Sequence, residues 1–246
     1  MKRGARLLWA GLVFWPALAF AQGGPPLVTD DPGTVEKGHW EINLAWTREH
    51  HPGETVSELP LVDINYGLSE HAHFKYEVSW LRLTGDDSTR TGVSDSSLGV
   101  KWRFRDEDRH GVAVSTYPQL GFRTTGSSVQ RGLSSGATTL LLPVQLQKSF
   151  GAISLSADLG YVRDSRSADT WFGGVAAGYE WRHWELLAEI HAEREVGAPG
   201  ARVLLNAGCR RPLGKNLTLL FSLGRETYDR TERCATVSYL GLQLAR

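Results

Sequence analysis

Only two cysteines, Cys209 and Cys234, occur in the 246 residues, too few for a disulfide scaffold. Charge of one sign is missing as well. The 27 basic and 27 acidic side chains cancel, leaving no net field to gather nucleic acid or an anionic surface. Past Ala21 no run approaches the roughly 20 apolar residues that a spanning helix needs. The mean hydropathy of −0.27 resembles that of a water-soluble protein. Strands that cross a membrane give the same average, because they alternate apolar and polar residues. The chain is also poor in methionine, with one, and rich in tryptophan and glycine, with nine and 27, a balance that suits an exported β protein.

Residues 1–21 have the three-part layout of a secretory signal. Lys2, Arg3 and Arg6 supply the positive start, Leu7 to Phe20 the apolar core, and Ala19-Phe20-Ala21 a small-x-small cleavage site. The competing reading is a retained anchor helix. Pro16 interrupts that helix and the apolar run is short for spanning.

From Gly38 onward, twelve alternating segments follow, near 38–48, 57–67, 71–83, 93–105, 110–122, 139–149, 152–163, 169–181, 184–194, 202–211, 216–226 and 236–245. A period of two marks strands with two unlike faces. In the fourth segment, Leu98, Val100, Trp102 and Phe104 share one face, and Lys101 and Arg103 share the other. The third sets Phe74, Tyr76, Val78 and Trp80 against Lys75 and Glu77. The first sets Trp40, Ile42, Leu44 and Trp46 against Glu41 and Asn43, and the ninth sets Trp184, Leu186 and Ile190 against Glu185 and Glu189. Asp63, Asn65, Asp158, Glu180, Arg210 and Arg225 join the polar set from other segments.

Connections alternate too. Gly67–Glu70, Phe150-Gly151, Arg182-His183 and Pro212–Lys215 are tight, whereas longer loops such as Thr84–Gly92, Arg123–Thr138 and Glu195–Ala201 lie between them. Transmembrane barrels show this rhythm of short periplasmic turns and longer outer loops, and an even strand count returns both chain ends to the periplasm. In that orientation Trp40, Tyr66, Phe74, Trp102, Tyr179, Trp181 and Trp184 lie near the periplasmic edge, and Trp46, Trp80, Tyr161 and Trp171 near the outer edge. Two aromatic belts result. Aromatics are also good strand residues anywhere, so the belts alone do not decide. Cys209 and Cys234 are expected to stay unpaired, because they fall at opposite ends of an apolar band about 25 Å tall.

The expected architecture is therefore all-β, a 12-stranded antiparallel transmembrane up-and-down barrel over 38–246. Residues 22–37 form a periplasmic or lumen-entering segment before it. An Arg or Lys facing lipid at mid-depth costs about 2–4 kcal/mol, so the charged set is assigned to the lumen. There it either braces a closed interior with salt bridges or lines a polar path for a solute. Twelve strands lie between the roughly eight of a filled barrel and the sixteen to eighteen of an open porin, which points to a narrow or gated path. Arg123–Thr138, the longest loop, is the candidate lid.

Other chemistry is thinly represented. Outer-membrane lipid hydrolases use a His-x-Ser pair, and none of the eight histidines has serine two places on. His71 and His73 share a strand face at the periplasmic rim and His50-His51 lie in a loop, but neither pair completes a tetrahedral metal set. Asp30-Asp31 and Asp86-Asp87 read as solvated turn residues rather than Ca²⁺ ligands. A soluble periplasmic β protein with its apolar faces inward is a third reading. Twelve strands closed around apolar side chains would leave a core too wide to fill.

Several stretches carry a family likeness: Pro25-Pro-Leu-Val-Thr-Asp-Asp-Pro-Gly33, Glu58-Leu-Pro-Leu-Val-Asp-Ile-Asn-Tyr-Gly-Leu68, Gly92-Val-Ser-Asp-Ser-Ser-Leu-Gly-Val-Lys-Trp-Arg-Phe104, Tyr117-Pro-Gln-Leu, Leu142-Pro-Val-Gln-Leu-Gln-Lys-Ser-Phe-Gly151 and Ser222-Leu-Gly-Arg225. In order and spacing they resemble the outer-membrane transporter family named for the MetA pathway of phenol degradation. The resemblance implies a barrel of the proteobacterial outer membrane that passes small, often aromatic or apolar molecules. It implies neither a cofactor nor catalytic residues. The expected partners are the bilayer with its lipopolysaccharide, the outer-membrane assembly machinery and a small solute, and not nucleic acid. The chain ends in Arg246, where many such barrels end in an aromatic residue.

Overall fold

A computed structural model describes residues 24–85, 88–228 and 231–246; the expected signal peptide lies outside them. The first strands are β1 (Trp40–His51), β2 (Glu54–Ser69), β3 (Ala72–Gly85), β4 (Thr89–Val93), β5 (Ser96–Arg105), β6 (Ala113–Thr116) and β7 (Gln119–Phe122). Then come β8 (Thr139–Phe150), β9 (Ile153–Asp164), β10 (Thr170–Trp181), β11 (Trp184–Glu195), β12 (Arg202–Pro212), β13 (Leu217–Tyr228) and β14 (Thr231–Ala245). One of the twelve expected spans, 110–122, is split, and the fourth wall strand is preceded by β4, which lies almost wholly in the expected loop Thr84–Gly92. β4 and β5 part at Ser94-Asp95, and β6 and β7 part at Tyr117-Pro118, where proline has no N–H to give to the ladder. The result is a closed, antiparallel, 12-stranded barrel with almost no helix. One helical turn, α1 (Glu107–His110), closes one of the short connections, and another, α2 (Gly126–Gln130), sits in the longest loop.

Closure follows from the pairing register. β1 pairs with β14 without a break from Glu41↔Ala245 to His50↔Thr236. At the seam the Trp40 N–H donates to the Arg246 carbonyl (2.6 Å), and the Arg246 N–H donates back to Trp40 (2.8 Å). On the far side β3 pairs with β5, and β5 reaches β8 through β6 and β7.

The greasy face points outward. Val100 and Trp102 are 44% and 55% exposed, while Lys101 between them is 4% exposed. β8 repeats this, with Leu140, Leu142, Val144 and Leu146 exposed and Gln145 and Gln147 buried. An exterior of this kind is solvated by hydrocarbon, and a closed wall leaves no unpaired strand edge there. The aromatic belts are present as ring contacts: Trp40 with Tyr66 (4.5 Å) and Trp102 with Phe104 (5.5 Å) at the short-turn rim, and Tyr161 with Trp171 (4.8 Å) at the long-loop rim. Cys209 is a free thiol, and the side chain of Cys234 is outside the described residues.

Leu159, on the outer face midway along β9, tests the polarity of the wall. Leu159→Arg should destabilise the barrel by about 2–4 kcal/mol in lipid vesicles, whereas Asp158→Asn next to it should not cost as much by that route. Urea unfolding followed by tryptophan fluorescence measures both.

Candidate functional site

The lumen is occupied by the chain's own residues 24–35. Here the structure brings together side chains from distant strands, and each takes hold of backbone that carries no secondary structure of its own. Glu189 on β11 accepts from the Val28 N–H (3.0 Å) and the Thr29 N–H (2.7 Å). Asp158 on β9 accepts from the Asp30 N–H (3.2 Å). Lys101 on β5 donates to the Asp30 carboxylate (2.9 Å) and to the Asp31 carbonyl (2.7 Å). Arg210 on β12 donates to the carbonyls of Gly24 (3.1 Å) and Pro25 (2.9 Å) and pairs with Glu185 (3.2 Å). Four of the expected path residues thus hold a plug by charge-assisted hydrogen bonds, each stronger than a neutral one.

A second cluster stands beside the plug. Asp63 accepts from Asn43 (3.2 Å) and Asn65 (3.1 Å), and the Lys75 ammonium bridges Asp63 (3.4 Å) and Glu77 (3.1 Å). Three further expected residues belong to the short-turn end. Glu41, Glu180 and Glu185 line a cavity of about 770 Å³ there, together with Trp40, Trp184 and Arg210. Arg103 points the same way, bound to Asp106 (2.9 Å) and to the Glu70 carbonyl (3.2 Å), and braces the rim rather than the lumen centre.

Three assignments change. Arg225 is on the lipid-facing side, not in the lumen: its cross-strand partner is Leu205, which is exposed on the outer face, and its neighbours Ser222 and Gly224 have the buried register. It is tolerated because the penalty for an outward arginine falls to about 0–1 kcal/mol near an interface. His73 is inside rather than interfacial. Its Nδ1 accepts from the Val35 N–H (3.1 Å), and its ring meets Tyr117 edge-on (5.7 Å). Asp30 and Asp31 are plug residues rather than solvated turn residues. Asp30 is drawn in by Lys101, and Asp31 is buried with its carboxylate accepting from the Gly33 N–H (2.6 Å).

Several plug contacts were not singled out from the sequence. Gln145 donates to Asp30 (2.8 Å) and is itself held by Ser115 (2.6 Å), and the Ser222 hydroxyl donates to the Pro26 carbonyl (2.7 Å). Their signal was parity alone, since uncharged polar residues at inward positions look like filler. Tyr117 enters the lumen at the β6–β7 break and lies 4.8 Å from the Lys101 ammonium, a cation–π contact. The loop expected as a lid also folds inward. Ser128 donates to the Val93 carbonyl (2.6 Å), and Leu133 is buried against Gly92.

Gly174 shows how closely the plug fits. A Cβ there would overlap the Thr29 hydroxyl and come within 2.8 Å of His191 Nδ1. Gly174→Ala should therefore lift the segment from the wall, as should Glu189→Ala, which removes a charged acceptor worth about 1.5–3 kcal/mol. In a Cys209→Ser/Cys234→Ser background, Thr29→Cys should resist a water-soluble thiol reagent. Adding either lumen change should raise its labelling rate about tenfold or more.

The family model for the MetA-pathway of phenol degradation matches residues 26–235. Among solved structures, an outer-membrane channel from Pseudomonas putida F1 is similar at a TM-score of 0.67 and 14% identity, over 88% of this chain and 98% of that one. The KdgM porin in complex with disordered oligogalacturonate is similar at 0.55 and 12%, over 82% and 98%. The translocator domain of the autotransporter NalP from Neisseria meningitidis is similar at 0.57 and 11%, over 85% and 90%. Comparison with curated proteins returns no match. At these identities the structural likeness is one of fold. The family match spans most of the sequence, plug and barrel together, and the chain belongs to the family of the MetA-pathway of phenol degradation.

Proposed function

We propose that the protein is an outer-membrane channel through which small organic molecules pass by diffusion, and that residues 24–35 occupy its path in the closed state. The carrying observation is the use made of the lumen charges. Glu189, Asp158, Lys101 and Arg210 hold a peptide segment, and every one of those contacts can be replaced by water when the segment moves. A bracing role alone would pair the charges with one another, as Lys75 is paired with Asp63 and Glu77. The family's connection with phenol degradation supports small aromatic molecules as the first solutes to test.

The reading is non-enzymatic. An outer-membrane channel and a porin among the solved structures of this fold support that reading. The lipid-facing wall accords with the outer-membrane location and supports delivery by that membrane's assembly machinery.

Planar-bilayer conductance tests the proposal. The wild type should open rarely, and deletion of Pro25–Val35 should give steady ion conductance. In that deleted background Lys101→Glu should shift the pore toward cations. Liposomes holding the deletion variant should also take up phenol-sized solutes faster than those holding the wild type. A deletion variant that folds and stays silent overturns the channel reading.

A further inference from the structure

The pairing register assembles an unusual row on the outer face of β1, β2 and β3, near the long-loop rim. Arg48 pairs with Ser57, and Ser57 pairs in turn with Arg82, so all three project from the same side of the wall. Ser238 and Thr91 extend the row at either end. The next row toward the rim reads Thr236, His50, Thr55, Thr84 and Thr89. Neither row contains a carboxylate. The Cα atoms of Arg48 and Arg82 are thus about 10 Å apart, two strand spacings, and the two arginines are separated and flanked by hydroxyl residues.

These arginines are free in a way that interior ones are not. Arg48 and Arg82 are exposed and make no ion pair or hydrogen bond among the described residues. Arg202, facing inward at a similar height, is paired with Glu193 and Glu226. Outward arginines recur around the wall, at Arg163, Arg194 and Arg225, on alternate strands β9, β11 and β13. The row by β2 differs in having two of them joined through one serine.

Depth completes the picture. Arg48 is eight residues beyond Trp40 of the periplasmic belt, about 20 Å higher for a strand tilted by about 40°. That places the row at the outer edge of the apolar band. Trp46 and Trp80 lie just below it on the same face. A ligand for this surface has an apolar body alongside the tryptophans and an anionic, hydroxyl-accepting head at the arginines. Guanidiniums suit phosphate by bidentate hydrogen bonding.

We propose that the outer face of β1–β3 at Arg48, Ser57 and Arg82 binds the phosphorylated disaccharide headgroup of the outer leaflet's glycolipid. A headgroup bearing a phosphate at each end engages both guanidiniums at once, with the Ser57 hydroxyl between them and the acyl chains against Trp46 and Trp80. The site needs the long-loop rim to face the outer leaflet but not an open lumen, so its outcome is separate from that of the conductance experiment.

Native mass spectrometry of the full mature protein in detergent tests it, with purified bisphosphorylated lipid A, dephosphorylated lipid A and phosphatidylglycerol as probes. Bisphosphorylated lipid A should bind at least tenfold more tightly than either of the others. Arg48→Gln/Arg82→Gln should lose that preference, and so should Ser57→Glu, which sets a carboxylate between the guanidiniums. Retention on a gel of the unheated, compact form shows that each variant is folded. Equal binding of the phosphorylated and dephosphorylated forms overturns the proposal, as does equal binding of phosphatidylglycerol. So does an undiminished preference in whichever variant folds.

Discussion

Hydrocarbon offers no hydrogen-bond partner, and this single deficiency governs the molecule. A strand edge left open in lipid would expose several unpaired amide groups at several kcal/mol each, so the wall has to meet itself. The β1–β14 seam does this in unbroken register along ten paired positions. Closure then sorts the side chains. Once the wall is a tube with a period of two, each residue must face either lipid or lumen, and the ionised ones that sit at mid-depth are forced inside.

That sorting creates a second problem, which the chain solves with its own backbone. Charges gathered in a narrow lumen lose much of their water, and each needs a partner. Some find one another, as Lys75 does with Asp63. Others are matched to peptide groups of residues 24–31, which carry N–H and C=O groups unused by any ladder. An irregular segment is costly at membrane depth unless protein surrounds it, and the wall charges are costly unless something polar reaches them. Plug and lumen relieve one another's deficit.

The barrel was legible because alternation over twelve segments has only one closed solution of this kind. The interrupted span 110–122 read as a whole one although Pro118 breaks it, whereas β4 fell within a segment read as loop. The polar interior was legible for the same reason at Lys101, Asp158 and Glu189. Arg225 was misplaced when charge was allowed to outvote parity: Phe221 and Leu223 set its face, and its height near the rim lowers the penalty that seemed to forbid it. The occupant of the lumen was only half visible. Pro25 to Gly33 could be read as a segment without secondary structure, but nothing local says that its amides meet Glu189, about 160 residues away. Contacts of that range belong to the closed tube, not to any window of sequence.

The segment's last residues are fixed where it leaves the lumen. Lys37 bridges to Gly67, whose bare Cα lets the Glu36 carbonyl come close enough that any side chain would collide with it, and the Gly38 N–H donates to the Gly67 carbonyl (2.8 Å). On the proposed reading, release and re-entry of residues 24–35 would be events within one molecule, at an effective concentration on the millimolar scale set by a short tether. The balance between occupied and vacated lumen would then be a fixed property of each copy. It does not change with how many copies the membrane holds, nor with dilution on purification.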